Sequence, residues 1–282
     1  MNSPTSKFLT AEWRHLAMLN FEVDPKVMQP LVPVGTELDQ WQGRTFISVV
    51  GFLFLNTRVF GVAIPWHRDF EEVNLRFYVR RKASDGWRRG VVFVKEIVPR
   101  IAIALTARVV YGENYVAVPM SHRIEGDNGS GAEPRAESDP RAVFEPRAEP
   151  DPRALPKPRA ESDPRIVSQP RAVSYSWQFR GRENRLALTV GGDSDQAPEG
   201  SEAEFITEHY WGYAGRRGGR TMEYRVEHPR WRIARATSAE LDCDVAGLYG
   251  SQFVESLKTP PASAFLAAGS EVTVFRGSVL PS

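Results

Sequence analysis

Residues 67–81 read HRDFEEVNLRFYVRR, and this stretch decides the fold that we expect. In its second half, apolar and polar residues alternate with the period of two that is typical of a half-buried β-strand. The apolar set is Val73, Leu75, Phe77 and Val79, and the polar set is Asn74, Arg76, Tyr78 and Arg80. The stretch therefore predicts a β-strand with one apolar face and one polar face.

Charged side chains precede this strand and continue onto it. They are His67, Asp69, Glu71, Glu72 and Arg76. Polar groups at the mouth of a strand can be held rigidly, and small-molecule sites are often built there. The alternative is a solvated loop, because Asp, Glu and Arg side chains are mostly exposed.

Composition excludes several classes of protein. The 282 residues are 41% hydrophobic and 25% charged, which is ordinary for a globular protein, and the net charge is +1. A nucleic-acid partner would require a basic excess, so we expect none. Cys243 is the single cysteine, which excludes disulfides within the chain. Because the N-terminal residues also lack an apolar signal segment, we expect a cytoplasmic protein.

The apolar run 45–66 could be mistaken for a membrane span. It contains Arg58 near its middle, which would cost roughly 2.5 kcal/mol or more at the centre of a bilayer. We therefore expect no membrane partner. Two buried strands joined by a turn at Asn56–Thr57 explain the run better.

Local signals place several other elements. Asp24 before Pro25 predicts a helix start, and Asp85-Gly86 predicts a hairpin turn. Ser201 with Glu204 forms the capping box of a short helix over 202–207. We expect an irregular entry that becomes a strand from Ala17. Residues 101–108 fit a helix or a strand, and their alanines favour a short helix.

Residues 126–172 differ in kind from the rest of the chain. Pro-Arg recurs every six residues from Pro134 to Pro170, in seven copies. Proline at this density is incompatible with helices and sheets, and the few apolar residues cannot offset the entropy of ordering. We predict a disordered insertion in one discontinuous domain formed by residues 1–125 and 173–282. We favour a repeat expansion that the fold tolerates. The alternative is that the segment docks a partner.

Ten or so short strands with few helices predict a mainly β fold, α+β at the margin, that resembles a barrel. Such folds hold one small ligand inside.

Four pieces of the sequence resemble an uncharacterised YqjF-like family. They read AEWRHLAMLNFEVDP, WHRDFEEVNLRFYVRR, VPRIAIALTARVVYGENYVAVPM and FITEHYWGYA. That family is related in fold to the acetoacetate decarboxylases. The resemblance implies a closed barrel or curved antiparallel sheets with a few short helices. It covers nearly the whole chain except the Pro-Arg insertion, and it implies no particular reaction.

The resemblance also implies that the covalent nucleophile of the decarboxylases is absent. Those enzymes use a lysine that forms a Schiff base, in a motif that reads roughly Arg-Glu-Ile-Tyr-Gly-Phe-Pro-Lys-Lys. Arg108, Tyr111 and Gly112 match the motif. Glu113 and Asn114 replace Phe-Pro, and Tyr115 and Val116 replace the two lysines. A carboxylate of the decarboxylases persists as Glu72.

The leading hypothesis is a β-barrel that binds a small oxo or carboxylate compound, with acid–base chemistry as an option. Arg76 and Arg108 would hold an anionic group. Glu72 or Glu113 would act as acid or base, since burial favours a protonated carboxyl. Tyr111 and Tyr115 would donate hydrogen bonds, with Tyr115 also a catalytic candidate. His67 and His209 are the remaining ligand-binding candidates.

Two other hypotheses stay open. The polar cluster could serve a non-enzymatic binding or scaffolding module, because buried ion networks can be purely structural. Alternatively, Lys95 could replace the missing nucleophile of a decarboxylase-like lyase. A metal at His67 and Asp69 would need further ligands such as Glu208, so we predict no metal and no cofactor. A homo-oligomer is compatible with the sequence.

Overall fold

Phe70–Ala83 forms a single β-strand in the computed structural model of the protein, as its alternating pattern predicts. The structure describes residues 6–63, 68–99, 114–126, 171–216 and 218–280. Residues 127–170 of the Pro-Arg segment and the helix predicted over 101–108 lie outside the described residues. So do four of the candidate site residues, which are His67, Arg108, Tyr111 and Glu113.

Strands make up most of the described chain. In order they are β1 Lys7–Glu22, β2 Glu37–Leu38, β3 Phe46–Val59, β4 Val62–Ala63, β5 Phe70–Ala83, β6 Gly86–Val98, β7 Tyr115–Ala117, β8 Met120–Glu125, β9 Ala172–Phe179, β10 Arg182–Val190, β11 Asp195–Gln196, β12 Trp211–Arg216, β13 Arg220–Glu227, β14 Arg232–Asp242, β15 Ser263–Phe275 and β16 Ser278–Val279. The described helices are short. They are α1 Pro25–Met28, α2 Glu202–Thr207, α3 Val245–Leu248, α4 Val254–Lys258 and the 3-10 helices Gln29–Leu31 and Ser251–Phe253. None of these helices is long and apolar enough to cross a membrane.

The helix caps form as the sequence predicts. Asp24 caps α1, where its Oδ1 accepts a hydrogen bond from the backbone N–H of Lys26 at 2.8 Å. Ser201 caps α2 and accepts from the backbone N–H of Glu204 at 3.2 Å. The Glu204 carboxylate reaches one residue further back than a standard capping box and accepts from Gly200 N–H at 2.6 Å.

The predicted mainly β fold is confirmed, as a curved sheet of mixed direction. Neighbouring strands follow the order β16-β13-β12-β6-β5-β3-β1-β15-β14-β10-β9-β8, and β13 also pairs with β15. Most pairs are antiparallel, but β6 runs parallel to both β7 and β12. The path from β12 through β6 to β15 and β13 therefore returns on itself. The β6–β12 and β13–β15 ladders contain only two residue pairs each. The sheet therefore curves back on itself without hydrogen bonds along the full length of these strands.

Two predicted strand boundaries are wrong, and in both strands a residue with left-handed backbone conformation explains the difference. β1 already begins at Lys7 and includes the predicted irregular entry, because a bulge at His15 (φ 55°) absorbs the irregularity. β3 likewise continues through Asn56 (φ 53°), where we predicted a turn. The chain reverses instead at Phe60-Gly61, between β3 and β4.

Both faces of β5 are buried from Glu72 to Val79, although the alternating pattern predicted a half-buried strand. The odd-numbered side chains from Val73 to Val79 belong to a core that also contains Tyr175 and Trp177. The even-numbered side chains face the other way, where Phe70 and Tyr78 belong to a second core. The polar residues between them on that face, Glu72, Asn74 and Arg76, line an internal cavity instead of the solvent.

The strands on either side of the Pro-Arg segment are adjacent. β8 and β9 pair antiparallel, with Glu125 opposite Ala172, and the backbone N–H of Arg171 donates to the carbonyl of Glu125 at 2.7 Å. β8 and β9 therefore flank the Pro-Arg segment as paired neighbours, and the division into one discontinuous domain with an insertion stays a prediction.

Candidate functional site

The cavity beside β5 has a volume of about 270 Å³ and walls that are mostly apolar. Aromatic side chains from β1, β3, β5 and β6 supply much of its surface, including Trp13, Phe52, Phe54, Phe70 and Phe93. The other side is formed by the end of α2 and by β12, β13 and β15, through residues such as Ile206, Trp211, Tyr224 and Val274. A space of this size and lining suits one small ligand with an apolar body.

Three polar side chains of β5 form a row on the cavity wall. Glu72, Asn74 and Arg76 occupy alternate positions, and their residues are between 1% and 8% exposed. Asn74 Nδ2 donates to Glu72 Oε1 at 3.0 Å, which fixes the orientation of both groups. The row therefore presents a carboxylate, an amide and a guanidinium in succession.

An irregularity in the β5–β6 ladder determines which residues of β6 join this row. Arg76 lies opposite Phe93, but Leu75 lies opposite Lys95, so Val94 is the extra residue of a bulge. Beyond the bulge, Glu96 lies opposite Asn74 and lines the cavity. Lys95 instead shares the face of Leu75, which belongs to the core on the other side of the sheet. Of the lysines that the structure describes, none lines the cavity.

Tyr115 reaches the cavity from β7. It lies beside Glu96 in the parallel β6–β7 ladder, so Asn74, Glu96 and Tyr115 form one row across three strands. Tyr115 is 8% exposed and lines the cavity. In the sequence resemblance described above, Tyr115 is the residue that corresponds to a lysine of the decarboxylase motif.

Arg76 has unusually few polar contacts for a buried guanidinium. Its Nη2 lies 4.0 Å from Met18 Sδ, and its Cζ lies 5.8 Å from the centre of the Tyr78 ring. Within the described chain, its Nε has no hydrogen-bond partner and no carboxylate forms an ion pair with it. A buried cation without a counter-ion is costly, so Arg76 is suited to receive an anion.

His209 lines the cavity close to Arg76 and contacts a carboxylate that the sequence did not single out. His209 Nε2 lies 3.4 Å from Asp39 Oδ2, and Arg89 Nε donates to the same oxygen at 2.6 Å. Burial lowers the pKa of His209 to about 4, although Asp39 acts in the opposite direction. The pKa of Asp39 is also lowered, because its hydrogen bonds to His209 and Arg89 outweigh burial. At neutral pH the pair therefore consists of a neutral imidazole and a carboxylate.

His228 is a second histidine on the cavity wall. Its Nδ1 lies 2.9 Å from the carbonyl of Pro229, and its ring stacks on Trp231 with centroids 4.1 Å apart. Burial lowers its pKa. Because Nδ1–H donates to the carbonyl, Nε2 is left as the acceptor nitrogen.

Buried polar atoms without partners are concentrated in this cavity. Among the residues that the structure describes, the cavity-lining side chains with such an atom are Trp13, Thr57, Asn74, Arg76 and His209. Buried polar groups in proteins are nearly always hydrogen-bonded. Such a cluster of unsatisfied groups indicates a binding site more strongly than the cavity volume does.

The structure thus brings together those predicted site residues that it describes. Glu72, Arg76, Tyr115 and His209 all line one cavity. Sequence reasoning missed Asp39, Asn74, Glu96 and His228. The period of two in β5 could have identified Asn74, whereas the bulge hides Glu96. The described residues contain no group of three potential metal ligands.

Comparisons with known proteins reveal relatives without an assigned activity. A family described as an uncharacterized conserved protein matches residues 10–271. The chain is 32% identical over 116 residues to the uncharacterized protein YqjF of Bacillus subtilis (strain 168). That match covers 41% of this chain and 46% of the relative, so the chain spans about half the length of YqjF in the alignment.

Solved structures show the same fold at low identity. The enduracididine biosynthesis enzyme MppR complexed with pyruvate superposes with a TM-score of 0.59 at 14% identity, over 100% of this chain and 92% of that one. Acetoacetate decarboxylase from Legionella pneumophila gives a TM-score of 0.59 at 11% identity, also over 100% and 92%. These similarities establish an acetoacetate-decarboxylase-like fold.

Proposed function

The chain belongs to the DUF2071 family of uncharacterized conserved proteins, and from this premise we propose that its cavity binds a small carboxylate with an apolar body. The observation that carries the proposal is Arg76, a buried guanidinium in an apolar cavity whose Nε has no partner among the described residues. A carboxylate would supply the missing charge and the missing hydrogen bonds.

The walls suggest what the rest of the ligand is. Aromatic rings surround most of the cavity, including a stacked pair of Phe54 and Phe70 with centroids 4.6 Å apart. Burying an apolar group here is favourable by about 25 cal/mol per Å². One structural neighbour was solved with pyruvate, which is a carboxylate. The cavity volume of about 270 Å³ leaves room for a ligand with a larger apolar body than pyruvate has.

Glu72 would supply the acid–base group for chemistry on such a ligand. Glu72 and Arg76 are four residues apart, or about 13 Å along the strand, a span that two long side chains and a small ligand can fill. With the carboxylate on Arg76, Glu72 could accept a proton from the carbon next to an oxo group. The negative charge that develops would be stabilised by Arg76. Such a step requires no lysine, and Tyr115 would contribute a hydrogen bond.

Calorimetry with 3-phenylpropanoate and pyruvate tests the binding proposal. We expect Arg76→Gln to weaken binding of both at least tenfold, because a charge-assisted hydrogen bond is lost. Arg80→Gln is the matched control, since Arg80 belongs to the same strand but pairs with Glu37 on the surface. Equal affinity in all three proteins would refute the proposal.

Proton exchange tests the catalytic option separately. In D2O, abstraction from the methyl group of pyruvate by Glu72 would replace its protons with deuterium, which NMR detects. We expect exchange above the buffer rate in the wild type and its loss in Glu72→Gln. Binding without exchange would assign the protein to the non-enzymatic binding modules.

A further inference from the structure

The ligand-binding cavity contains a second anchor besides Arg76. We propose that His209, held by Asp39, accepts a hydrogen bond through Nδ1 from the ligand, so that the bound carboxylate also bears a hydroxyl or amine. The inference rests on the proposed function and narrows its substrate class.

The tautomer of His209 follows from its neighbours. Asp39 Oδ2, at 3.4 Å from Nε2, belongs to an ionised carboxylate and can only accept, so Nε2 carries the proton. Arg89 Nη2 also lies 3.4 Å from Nε2, but it donates to the carbonyl of Phe205 at 3.3 Å. Arg89 therefore does not require Nε2 as an acceptor. Nδ1 is left with its lone pair.

Nδ1 has no partner in the described part of the chain, and its residue is 7% exposed on the cavity wall. A buried acceptor in this state is costly unless a ligand satisfies it. A ligand with an O–H or N–H group would do so, and one without it would leave the acceptor unpaired. Sites of this kind discriminate strongly against the analogue that lacks the donor.

The imidazole is fixed in place, as an anchor requires. Its ring lies 4.6 Å from that of Tyr78 and meets Phe205 edge-on at 5.3 Å, centroid to centroid. The Tyr78 hydroxyl is in turn 2.6 Å from Ser48 Oγ, inside the core. The direction of the Nδ1 lone pair is therefore set by packing.

Tyr78 is a neighbour of both anchors and therefore sets an upper limit on the distance between them. It lies 4.6 Å from the centre of the His209 ring and 5.8 Å from Arg76 Cζ. The centre of the imidazole ring and Arg76 Cζ are therefore at most about 10.4 Å apart, since both distances are measured to the centre of the Tyr78 ring. A hydroxyl or amine close to the carboxylate, as in a 2-hydroxy acid, is compatible with this upper limit.

Two probes that differ by one hydroxyl test the inference. Calorimetry at pH 7 compares 3-phenylpropanoate with each enantiomer of 3-phenyllactate. We expect one enantiomer to bind wild type roughly tenfold more tightly than 3-phenylpropanoate, as a satisfied buried acceptor implies. The variant His209→Phe retains ring stacking. It should bind the preferred enantiomer of 3-phenyllactate about as tightly as 3-phenylpropanoate, and its affinity for 3-phenylpropanoate should not be weaker than that of the wild type.

His122→Phe is the matched control, because His122 is exposed, pairs with Glu71 and does not line the cavity. Equal binding of both probes to wild type overturns this inference and leaves the proposed function standing. The same holds if His209→Phe weakens both probes equally, since that indicates a structural role. If neither probe binds, the proposed carboxylate site fails and the inference fails with it.

Discussion

Gly212 lies directly opposite Tyr224 in the β12–β13 ladder, and a Cβ atom at position 212 would overlap the tyrosine ring. Tyr224 lines the cavity, so the missing side chain at Gly212 helps to shape the site. We expect Gly212→Ala to lower the free energy of unfolding by about 1–3 kcal/mol, the usual cost of overpacking. Urea denaturation measures the change.

The same strand offers a control for this substitution. A Cβ atom at Gly215 would have no neighbour within 4 Å, so Gly215→Ala should leave stability nearly unchanged. Similar losses in both variants would show that backbone flexibility, and not the contact with Tyr224, explains the effect.

Protein stability should fall on acidification because His209 is buried as the neutral form. Its pKa is lowered from 6.5 to about 4 by burial, so the unfolded chain binds a proton at a higher pH than the folded chain does. The stabilisation is complete above pH 6.5 and is lost as the pH falls towards 4. Near 1.4 kcal/mol per pKa unit, the loss is about 3 kcal/mol.

Chemical denaturation at pH 7 and pH 4.5 measures this effect. The groups that face the imidazole are Asp39, Arg89 and Arg76, and His15 and His228 also have lowered pKa values. His209→Phe should therefore reduce the pH dependence without abolishing it. An unchanged slope in this variant would mean that His209 does not titrate in the window.

Lys95 should not form a Schiff base with an oxo acid. Its side chain shares the face of Leu75, on the opposite side of the sheet from the cavity. We expect incubation with pyruvate and borohydride to modify Lys95 no more than the exposed Lys26, as read by peptide mass spectrometry. A stoichiometric adduct on Lys95 would revive the decarboxylase-like mechanism.

Replacing residues 127–170 with Asn-Gly should leave the fold intact. Glu125 and Ala172 already pair across the β8–β9 hairpin, so a short turn can connect them. If the segment is the disordered loop that the sequence predicts, shortening it should stabilise the protein by up to about 2 kcal/mol. Thermal unfolding of both proteins measures the difference. A clear loss of stability would indicate that the Pro-Arg segment packs against the domain.

Signals that act within a few residues were reliable guides to the fold. The caps at Asp24 and Ser201 and the turn at Asp85-Gly86 depend on local hydrogen bonds and backbone preferences. Asn56 misled us because asparagine adopts a left-handed conformation in turns and in bulges alike. Only the pairing of β3 with β1 and β5, which involves distant residues, distinguishes the two cases.

The candidate site was less predictable, because it depends on which face of each strand meets the cavity. Glu72 and Arg76 follow from the alternation in β5, and His209 was suggested by its aromatic surroundings. Asp39 follows the two-residue strand β2, and no local pattern connects it with His209, which is 170 positions away. Both reach the same site through the tertiary fold alone.

The extra residue Val94 in β6 has a chemical consequence. If β6 alternated regularly beyond Phe93, position 95 would point inward and position 96 outward, since adjacent side chains of a strand point in opposite directions. The insertion of one residue therefore determines whether the amine of Lys95 or the carboxylate of Glu96 lines the cavity. An offset of one position in β6 would therefore present an amine to the cavity in place of a carboxylate, without any change of amino acid.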